Sequence, residues 1–477
     1  MSDVTTHHPL YDDYADEWEL MRNAVRGEKA VKEEGMAYLP MPSGFAGASD
    51  QNTLYDAYRQ RAQFPEITSP AVQAMVGVIH QSELKIDIPD QMVGLWERAT
   101  SDGLPLEAFH RRVTAEILTT GRYGILAGAP STGTELPYLT GYCTEAIINW
   151  DDLRMLFVLD ESGLVREGFS WTDQQRYRVL ELTDGRYVVR LFGESGEGQE
   201  VVPNARGGSP LTEIPFVIAG PRDLSVDPEA PPLLAIARAA IAMYQLSADY
   251  RWQLYMTGQE TLFVINADEP EAVGAGVIVS LKATASGDGT YPDVDARYVG
   301  PRGTGIEAHR KAMEDEATKA VGAGARMFNS GPRTAESGES RRIRYVAETA
   351  SLLSVAQASC AALEKSLRYV GRMMGLPDAT IETIVVTPPP TLIDRKLTPQ
   401  EMAALMQLWE KGLLSYETVY ENLQKGEIAS SERTAEEELD IIDEEDSRTE
   451  PTAGLGGMLP PRQPSNSNQP PPLVLAQ

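Results

Sequence analysis

The chain has 477 residues, of which 42% are hydrophobic, enough for two or three domains or for one large body with inserted elements. Its 70 acidic residues outnumber 42 basic ones and give a formal net charge of −28 at pH 7. This charge repels a phosphate backbone over a broad surface, which excludes a protein that grips nucleic acid by its overall charge. The net charge is compatible with a channel surface along which nucleic acid moves while it contacts only a few basic residues.

The cysteine content and the absence of long apolar runs indicate the cellular compartment in which the protein is expected. Cys143 and Cys360 each stand among small or apolar neighbours, so a disulfide framework and a CxxC metal pair are excluded and we interpret both as core thiols. The first residues lack the basic start and apolar run of a signal peptide, and no stretch approaches the roughly 18 apolar residues of a membrane span. We expect a protein made and kept in a reducing cytoplasm, without a membrane partner.

The first third of the chain is predicted to be mainly helical. Apolar residues recur at helical spacing over residues 9–31, and this pattern stops near Gly35. The same spacing returns over residues 54–78 and 104–120, with Pro105 where a helix can begin.

Residues 122–220 change to β-rich character. Short runs at 123–126, 156–159 and 186–192 are separated by Gly, Asp and Ser turns, which predicts antiparallel strands and hairpins. The turn Thr183-Asp184-Gly185 is typical of a tight hairpin. The body is therefore predicted to be α+β.

A long helix is predicted from the apolar face that follows Pro231-Pro232 and lasts until Gly258. Strands are expected at 262–265 and 277–279, and a Gly-rich stretch, 286–303, leads to a second helix at about 304–321. A small lobe is thus bracketed by two helices.

The next segment combines a predicted loop with a very long helix. Gly322-Ala323-Gly324 predicts a helix break, and the polar, Gly- and Ser-rich sequence that follows predicts a mobile loop. From Ile343 to Met374 apolar residues recur every three or four positions, which predicts a helix of about 50 Å. One more strand is predicted at 381–386.

The C-terminal part is predicted to be helical and then disordered. Thr398 and Pro399 suit the N-cap and first position of a helix, in a small helical domain that ends near residue 427. Ten of the nineteen residues from Glu432 to Glu450 are acidic, typical of a solvating or partner-docking arm. The Pro-rich remainder predicts disorder over 447–477.

This order of elements resembles the portal family of tailed phages, over most of the chain. Locally, His8-Pro9-Leu10-Tyr11 with Trp18, Gly27 and Tyr38-Leu39-Pro40 resembles a less characterised portal-like phage family, as does the block from Ala248-Asp249-Tyr250 to Gly258. Many Gly-rich turns in the early strand region depart from the family pattern and leave the strand order of the wing open.

The resemblance implies a domain division by position. The predicted parts are the wing (1–230), stem helix 1 (231–258), the clip (259–303), stem helix 2 (304–325), the tunnel loop (326–341), a long helix (342–375), a wing strand return (376–396), the crown (397–446) and a disordered tail (447–477).

The resemblance also implies a function. Portal subunits form a dodecameric ring at one capsid vertex, the channel for DNA packaging and ejection. The expected partners are other copies of the chain, the large terminase docked on the clip, a head-tail adaptor, and the major capsid and scaffold proteins. Double-stranded DNA would pass without sequence-specific contacts. Assembly would occur in the host cytoplasm and the product would reside in the virion, with no catalytic residue, metal or cofactor.

The most basic stretch of the chain surrounds the predicted tunnel loop. Only two acidic residues, Glu336 and Glu339, lie near its basic residues. These basic residues are Arg326, Arg333, Arg341, Arg342 and Arg344. Repeated around a ring, these arginines would form a cationic collar, whose bidentate phosphate contacts carry no sequence information. In the alternative interpretation, the last three arginines pair with Glu339 and Glu348 at a solvated helix end.

Three aromatic residues on the first stem helix are candidate contact residues. Tyr244, Trp252 and Tyr255 could form a platform for bases, but packing between the helices of neighbouring subunits is the favoured interpretation.

No pattern typical of an active site emerges. His80, His110 and His309 lie far apart in the sequence without metal-ligand spacing, and no phosphate-binding Gly-x-x-x-x-Gly-Lys-Ser/Thr loop occurs. Adjacent acids such as Asp151-Asp152 do not converge on one metal. The alternatives are another virion structural protein, such as a minor capsid protein or head-tail connector, and a cytoplasmic enzyme.

Overall fold

A computed structural model describes most of the chain in two compact units, Met1–Leu392 and Ile393–Gln477. The described residues are 3–81, 85–128, 136–193, 196–258, 261–266, 293–299, 305–325, 338–389, 406, 407, 409, 415–425, 429 and 433–449. Helices and antiparallel strands are mixed within the first unit, which confirms the predicted α+β class.

The first third is helical, as predicted. Its helices are α1 (Pro9–Arg26), α2 (Glu28–Glu33), α3 (Gln51–Arg61), α4 (Thr68–Ile79) and α5 (Leu106–Thr120). His8 caps α1 by accepting the backbone N–H of Leu10, and Pro105 is the N-cap of α5. The predicted 54–78 segment falls into two helices because Pro65, which lacks an N–H and holds the residue before it extended, lies between them.

The β-rich region forms two main antiparallel sheets. One has the order β10-β9-β8-β5-β4, the other β11-β2-β3. The strands are β1 (Lys85–Asp87), β2 (Tyr123–Gly128), β3 (Tyr138–Cys143), β4 (Ile147–Trp150), β5 (Leu156–Asp160), β6 (Gly163–Glu167), β7 (Ser170–Gln174), β8 (Arg176–Thr183), β9 (Arg186–Gly193), β10 (Gly196–Val201) and β11 (Phe216–Ala219).

The hairpin turn predicted between β8 and β9 is confirmed. Thr183 pairs with Arg186, and the two residues between them, Asp184 and Gly185, have φ of 51° and 71°. Positive φ at both central positions is the backbone that suits the right-handed twist of a two-residue hairpin.

Among the strands that the structure describes, β6 and β7 pair only with each other, and every residue in both is exposed. The sequence did not predict this hairpin, because it has no buried face to produce an apolar alternation.

Two long helices and a ribbon follow the sheets. They are α6 (Leu234–Thr257), β12 (Thr261–Ile265), β13 (Asp295–Val299) and α7 (Ile306–Ala325). The strand predicted at 262–265 is confirmed and pairs with β13, a strand inside the stretch predicted to be a Gly-rich connection. The strand predicted at 277–279 lies outside the described residues.

Two predicted boundaries around the long C-terminal helix are wrong. Helix α7 continues through Gly322-Ala323-Gly324 to Ala325, so these residues do not break it. The next helix, α8, runs from Gly338 to Met373, and the last four residues of the predicted loop 326–341 are therefore helical. Glu339 and the following arginines are good helix formers, which allows the helix to begin earlier than the apolar pattern does.

The strand predicted at 381–386 is only partly correct. Residues Asp378–Ile381 form a short helix, α9, whose N-cap is Pro377. The strand β14 covers only Val385–Thr387 and pairs antiparallel with β1.

Helix α8 lies in the core of the first unit. Its fully buried positions include Leu352, Ala356, Leu363, Leu367 and Val370. Cys360 is buried beside them, as predicted. The core prediction for Cys143 is wrong: it is the last residue of β3 and is exposed.

The second unit contains α10 (Tyr416–Lys425) and α11 (Ala435–Thr449). The disorder predicted from residue 447 is wrong for 447–449, which are helical. A capping box explains the start of α11: the Thr434 N–H donates to the Glu437 carboxylate (2.8 Å), and the Glu437 N–H donates to the Thr434 hydroxyl (3.2 Å). The predicted helix start at Thr398 and Pro399 lies outside the described residues.

Among the described helices, none is both long enough and apolar enough to cross a bilayer.

Two histidines that are distant in the sequence meet in the core. The rings of His80 on α4's C-terminal end and His110 on α5 lie 4.9 Å apart, and His110 Nε2 is 3.1 Å from the Ser359 hydroxyl of α8. Burial lowers the pKa of His80 to about 4 and that of His110 to about 3. Both histidines are therefore neutral in the folded protein near neutral pH.

These two pKa values predict a pH-dependent stability. The unfolded chain protonates histidine near pH 6.5, whereas the folded chain does so only near pH 4 and 3, so the unfolded state binds more protons between these values. The contribution of the two histidines to the free energy of unfolding should be constant above this window and fall on acidification by up to about 1.4 kcal/mol per pH unit for each histidine. Urea unfolding of wild type, His80→Gln and His110→Gln between about pH 5 and 6.5 measures the slope. Each variant should lose about half of it; equal slopes in all three proteins would contradict the assignment.

Candidate functional site

The helical pair α6–α7 is the region to which the sequence assigned the channel. The two helices are antiparallel: Gln253, near the end of α6, lies 3.1 Å from the imidazole of His309, near the start of α7. At the opposite end, Ala239 and Met243 of α6 pack against Ala320 of α7. The ribbon β12–β13 joins the pair at its Gln253 end.

Small residues allow the two helices to approach closely. Ala239 and Ala320 are buried at their contact, and Ile67 packs against the same cluster. Immediately before α7, a Cβ atom added to Gly305 would lie 2.8 Å from the side-chain oxygen of Gln253. A larger side chain at Ala320 would press on α6, whereas one at Gly305 would require the side chain of Gln253 to move.

Charges on the pair compensate one another. Arg310 forms ion pairs with Glu307 and Glu314, the latter at 2.6 Å, and Lys319 pairs with Glu316 at 2.5 Å. Together, α6 and α7 contain five acidic and five basic residues, excluding His309. A chain of net charge −28 thus contains a long helical pair with no formal net charge.

The three aromatic residues predicted to pack between subunits occupy different environments. Tyr244 is fully buried in the core of its own unit, with its ring centroid 6.2 Å from that of Phe64. Trp252 is partly buried and packs edge-on against Phe45 at 5.1 Å. Tyr255 is 38% exposed, so a neighbouring subunit could reach Tyr255 and Trp252 more easily than Tyr244. Their role between subunits stays a prediction.

Two arginines bracket the exposed aromatic end of α6. The Arg61 guanidinium carbon lies 3.9 Å from the ring centroid of Tyr255 and 5.7 Å from that of Trp252. Arg251 donates to the Gln63 side chain. These cation–π contacts hold the end of α6 against α3. No sequence pattern indicated these contacts, since Arg61 and Tyr255 are far apart in the chain.

The arginines of the predicted collar are described only in part. Arg326 and Arg333 lie outside the described residues. Arg341, Arg342 and Arg344 lie in the first two turns of α8, and their side chains are outside the described part. Positions 341 and 344 are three residues apart and share one face of this helix. The collar therefore stays a prediction.

A cavity of about 550 Å³ lies beside the sheets, and the sequence did not predict it. Its most polar feature is Glu161, which accepts from the Tyr142 hydroxyl at 2.6 Å and from Arg178 at 2.7 and 3.2 Å. Burial and the neighbouring Glu161 raise the pKa of Tyr142. Three donors already occupy this carboxylate, so the arrangement suits a structural tie better than a general base.

A buried cation lies under the same sheets. The Arg122 guanidinium is stacked 3.9 Å from the ring centroid of Trp150 and donates to the carbonyl of Val226 at 2.6 Å. Burial lowers its pKa to about 9, so it stays protonated at neutral pH. We interpret it as a tie between β2 and the segment before α6. Across the residues that the structure describes, no group of three or more His, Cys, Asp or Glu side chains could hold a metal ion.

One segment of the chain matches a known protein family. Residues 232–374 match the family described as a domain of unknown function, DUF4055. The match begins two residues before α6 and ends one residue after α8, so it spans the helical pair, its ribbon and the long helix. No curated protein matches the chain.

The packing of the helical pair can be tested with two substitutions on one helix. Ala320→Glu would bury a carboxylate against α6, and removing an unpaired charge from water costs several kcal/mol. We expect the pair to separate and the amides of α6 and α7 to exchange hydrogen faster, measured by mass spectrometry. Ala317→Glu places the same charge on the exposed face of α7 and should leave exchange unchanged. Equal protection in both variants would show that this contact does not hold the pair together.

Proposed function

We propose that this chain is the portal protein of a tailed phage, one subunit of a dodecameric ring through which double-stranded DNA is packaged and ejected. The observation that carries the proposal is the antiparallel pair α6–α7, capped by the ribbon β12–β13 and followed by a helix that returns through the core. In this proposal, α6 and α7 are the stem, and the ribbon belongs to the clip.

The charge of the helical pair supports a passage better than a binding site. A protein that binds DNA tightly neutralises phosphates with many cations, and its affinity falls steeply with salt. Helices α6 and α7 instead have five charges of each sign, several of them paired within α7. Such a wall attracts or repels a moving phosphate backbone only weakly, and the few arginines of the proposed collar would make the local contacts.

The proposed function is mechanical. An ATP-driven large terminase would dock on the clip and do the work, and a head-tail adaptor would replace it after filling. The portal subunit supplies the aperture and the docking surface, with major capsid and scaffold proteins as its neighbours at the vertex of the virion. The Glu161 cluster supports this view, since Tyr142 and Arg178 already occupy its carboxylate in a structural tie within the subunit.

Single-particle imaging of the purified chain tests the proposal first. We expect closed rings of about twelve subunits with a central hole, because a repeated head-to-tail contact closes into a ring. The chain should then be co-expressed with its capsid and scaffold proteins, since portal assembly can require them. Particles that stay monomeric in both preparations would refute the proposal. Rings without a hole, or incorporation at every vertex, would favour another virion structural protein.

Neutralising the arginine collar tests how the passage contacts DNA. Replacing Arg333, Arg341 and Arg342 with Gln should leave ring assembly intact but lower the DNA retained in filled particles, because phosphate contacts are lost. Retained DNA can be measured by nuclease protection.

The matched control replaces three exposed arginines of the body, Arg26, Arg98 and Arg186, with Gln. This variant has the same change in net charge and should retain DNA like wild type. Unchanged packaging and retention in the collar variant would remove the collar from the proposal but leave the ring untouched.

A further inference from the structure

The hairpin β6–β7 exposes large apolar side chains that no other part of the chain described by the structure covers. Phe169, at the turn, is 100% exposed, and Leu164, Trp171 and Val165 are 67%, 63% and 41% exposed. Within the described part of the chain, the two strands pair only with each other. An isolated two-stranded hairpin is marginally stable in water, so a hairpin with this composition is typical of an element that gains its stability from a contact.

The register of the hairpin places residue types that are frequent at protein interfaces on one face. Directly paired residues point to the same side of a ribbon, and Arg166 pairs with Trp171 while Leu164 pairs with Asp173. Trp and Arg are the residue types that most often dominate binding energy at interfaces. Arg166 Nε also donates to the carbonyl of Gly168 at 2.7 Å, which fixes the turn that presents Phe169.

We infer that this hairpin is an arm that docks on a second copy of the chain, and this inference rests on the proposed ring. A protruding arm that meets a different surface of its neighbour forms a heterologous contact, the type of contact that generates closed rings. Five residues per strand extend roughly 17 Å, enough to cross a subunit boundary.

The area at the arm is consistent with a subunit contact. A buried aromatic side chain covers roughly 150–250 Å², so Phe169, Trp171 and Leu164 together offer on the order of 400 Å² of apolar surface. A standard interface buries roughly 800 Å² on each partner. The arm therefore supplies about half of what a stable contact needs, and the polar edges of its strands and the adjoining body surface can supply the remainder. The face that carries Arg166 also carries Asp173, so the proposed contact rests on the apolar side chains and not on net charge.

Two experiments on the full-length chain test the arm. In the first, Phe169→Ser with Trp171→Ser is compared with Leu153→Ser with Met36→Ser, which alters two apolar residues exposed elsewhere on the body. Sedimentation velocity over a range of concentrations should show at least a tenfold weaker self-association for the arm variant and wild-type behaviour for the control. Circular dichroism verifies that each variant is folded.

In the second experiment, a photo-crosslinking amino acid replaces Phe169, and isotopically heavy and light chains are mixed before illumination. Crosslinked pairs that contain one heavy and one light chain support the arm. Crosslinks confined to a single chain, or to another protein in a co-expressed assembly, overturn it, as does self-association unchanged by the arm substitutions.

The two proposals fail in different ways. Closed rings that form equally well without the arm's aromatic residues would overturn the arm and leave the portal proposal standing. Small arm-dependent oligomers that never close into rings would support the arm and count against the portal. A chain that stays monomeric at every concentration overturns the arm.

Discussion

The burial of α8 is the constraint on which the rest of the first unit depends. This helix packs against α5, β2, β11 and β14, so one element contacts both the helical and the β-rich parts of the body. Its side chains at Leu363, Leu367 and Val370 are fully buried. Helix α6 joins the same core from Leu234 to Ala248, and Trp252 packs against this core too, whereas Leu254 to Met256 at its far end are exposed. Helix α6 is thus fixed by the core over most of its length, and near its ribbon end Trp252 packs against Phe45 and Arg61 lies over the ring of Tyr255.

Specific polar contacts set the position of α6 more precisely than apolar burial can. The Tyr58 hydroxyl donates to Asp249 at 2.6 Å, and the Ser247 hydroxyl both accepts from the N–H of Gln63 and donates to its carbonyl, each at 2.8 Å. Hydrogen bonds to charged or buried groups are directional and are costly to leave unmade. They fix the rotation of α6 about its axis and its position along α3. The block around Asp249, which resembles a portal-like family in sequence, therefore has a packing role at this junction, and its resemblance does not by itself indicate a DNA contact.

Sequence patterns predicted the long helices well, because residues such as Leu363 and Ala237 repeat with the helical period and face one core. They failed where packing outweighs local preference. Gly322 and Gly324 cost about 1 kcal/mol each in a helix, yet Ala320 and Ala323 of the same segment contact the core, and α7 continues through both glycines. The β6–β7 hairpin has no buried face and so produced no alternation to detect. Contacts such as His80 with His110 arise only when α4 packs on α5, and no spacing rule predicts them. For the candidate site, the sequence located the helical pair but not its ion pairs or the environment of Tyr244.

The distribution of charge gives the proposed function its strongest physical argument. Helix α11 alone contains eight acidic residues and one arginine, a quarter of the net charge of −28 within fifteen residues, whereas α6 and α7 together sum to zero. If the 70 acidic residues were distributed at random along the chain, α6 and α7 would also contain more acidic than basic residues. Neutrality there matters because a polyanion in a narrow passage is repelled by acidic walls and held by basic ones, and either effect would resist movement in one direction or the other. In the proposed ring, a neutral wall with basic residues confined to one level would leave the translocation force to the motor and would place any grip on the DNA at a single ring of contacts.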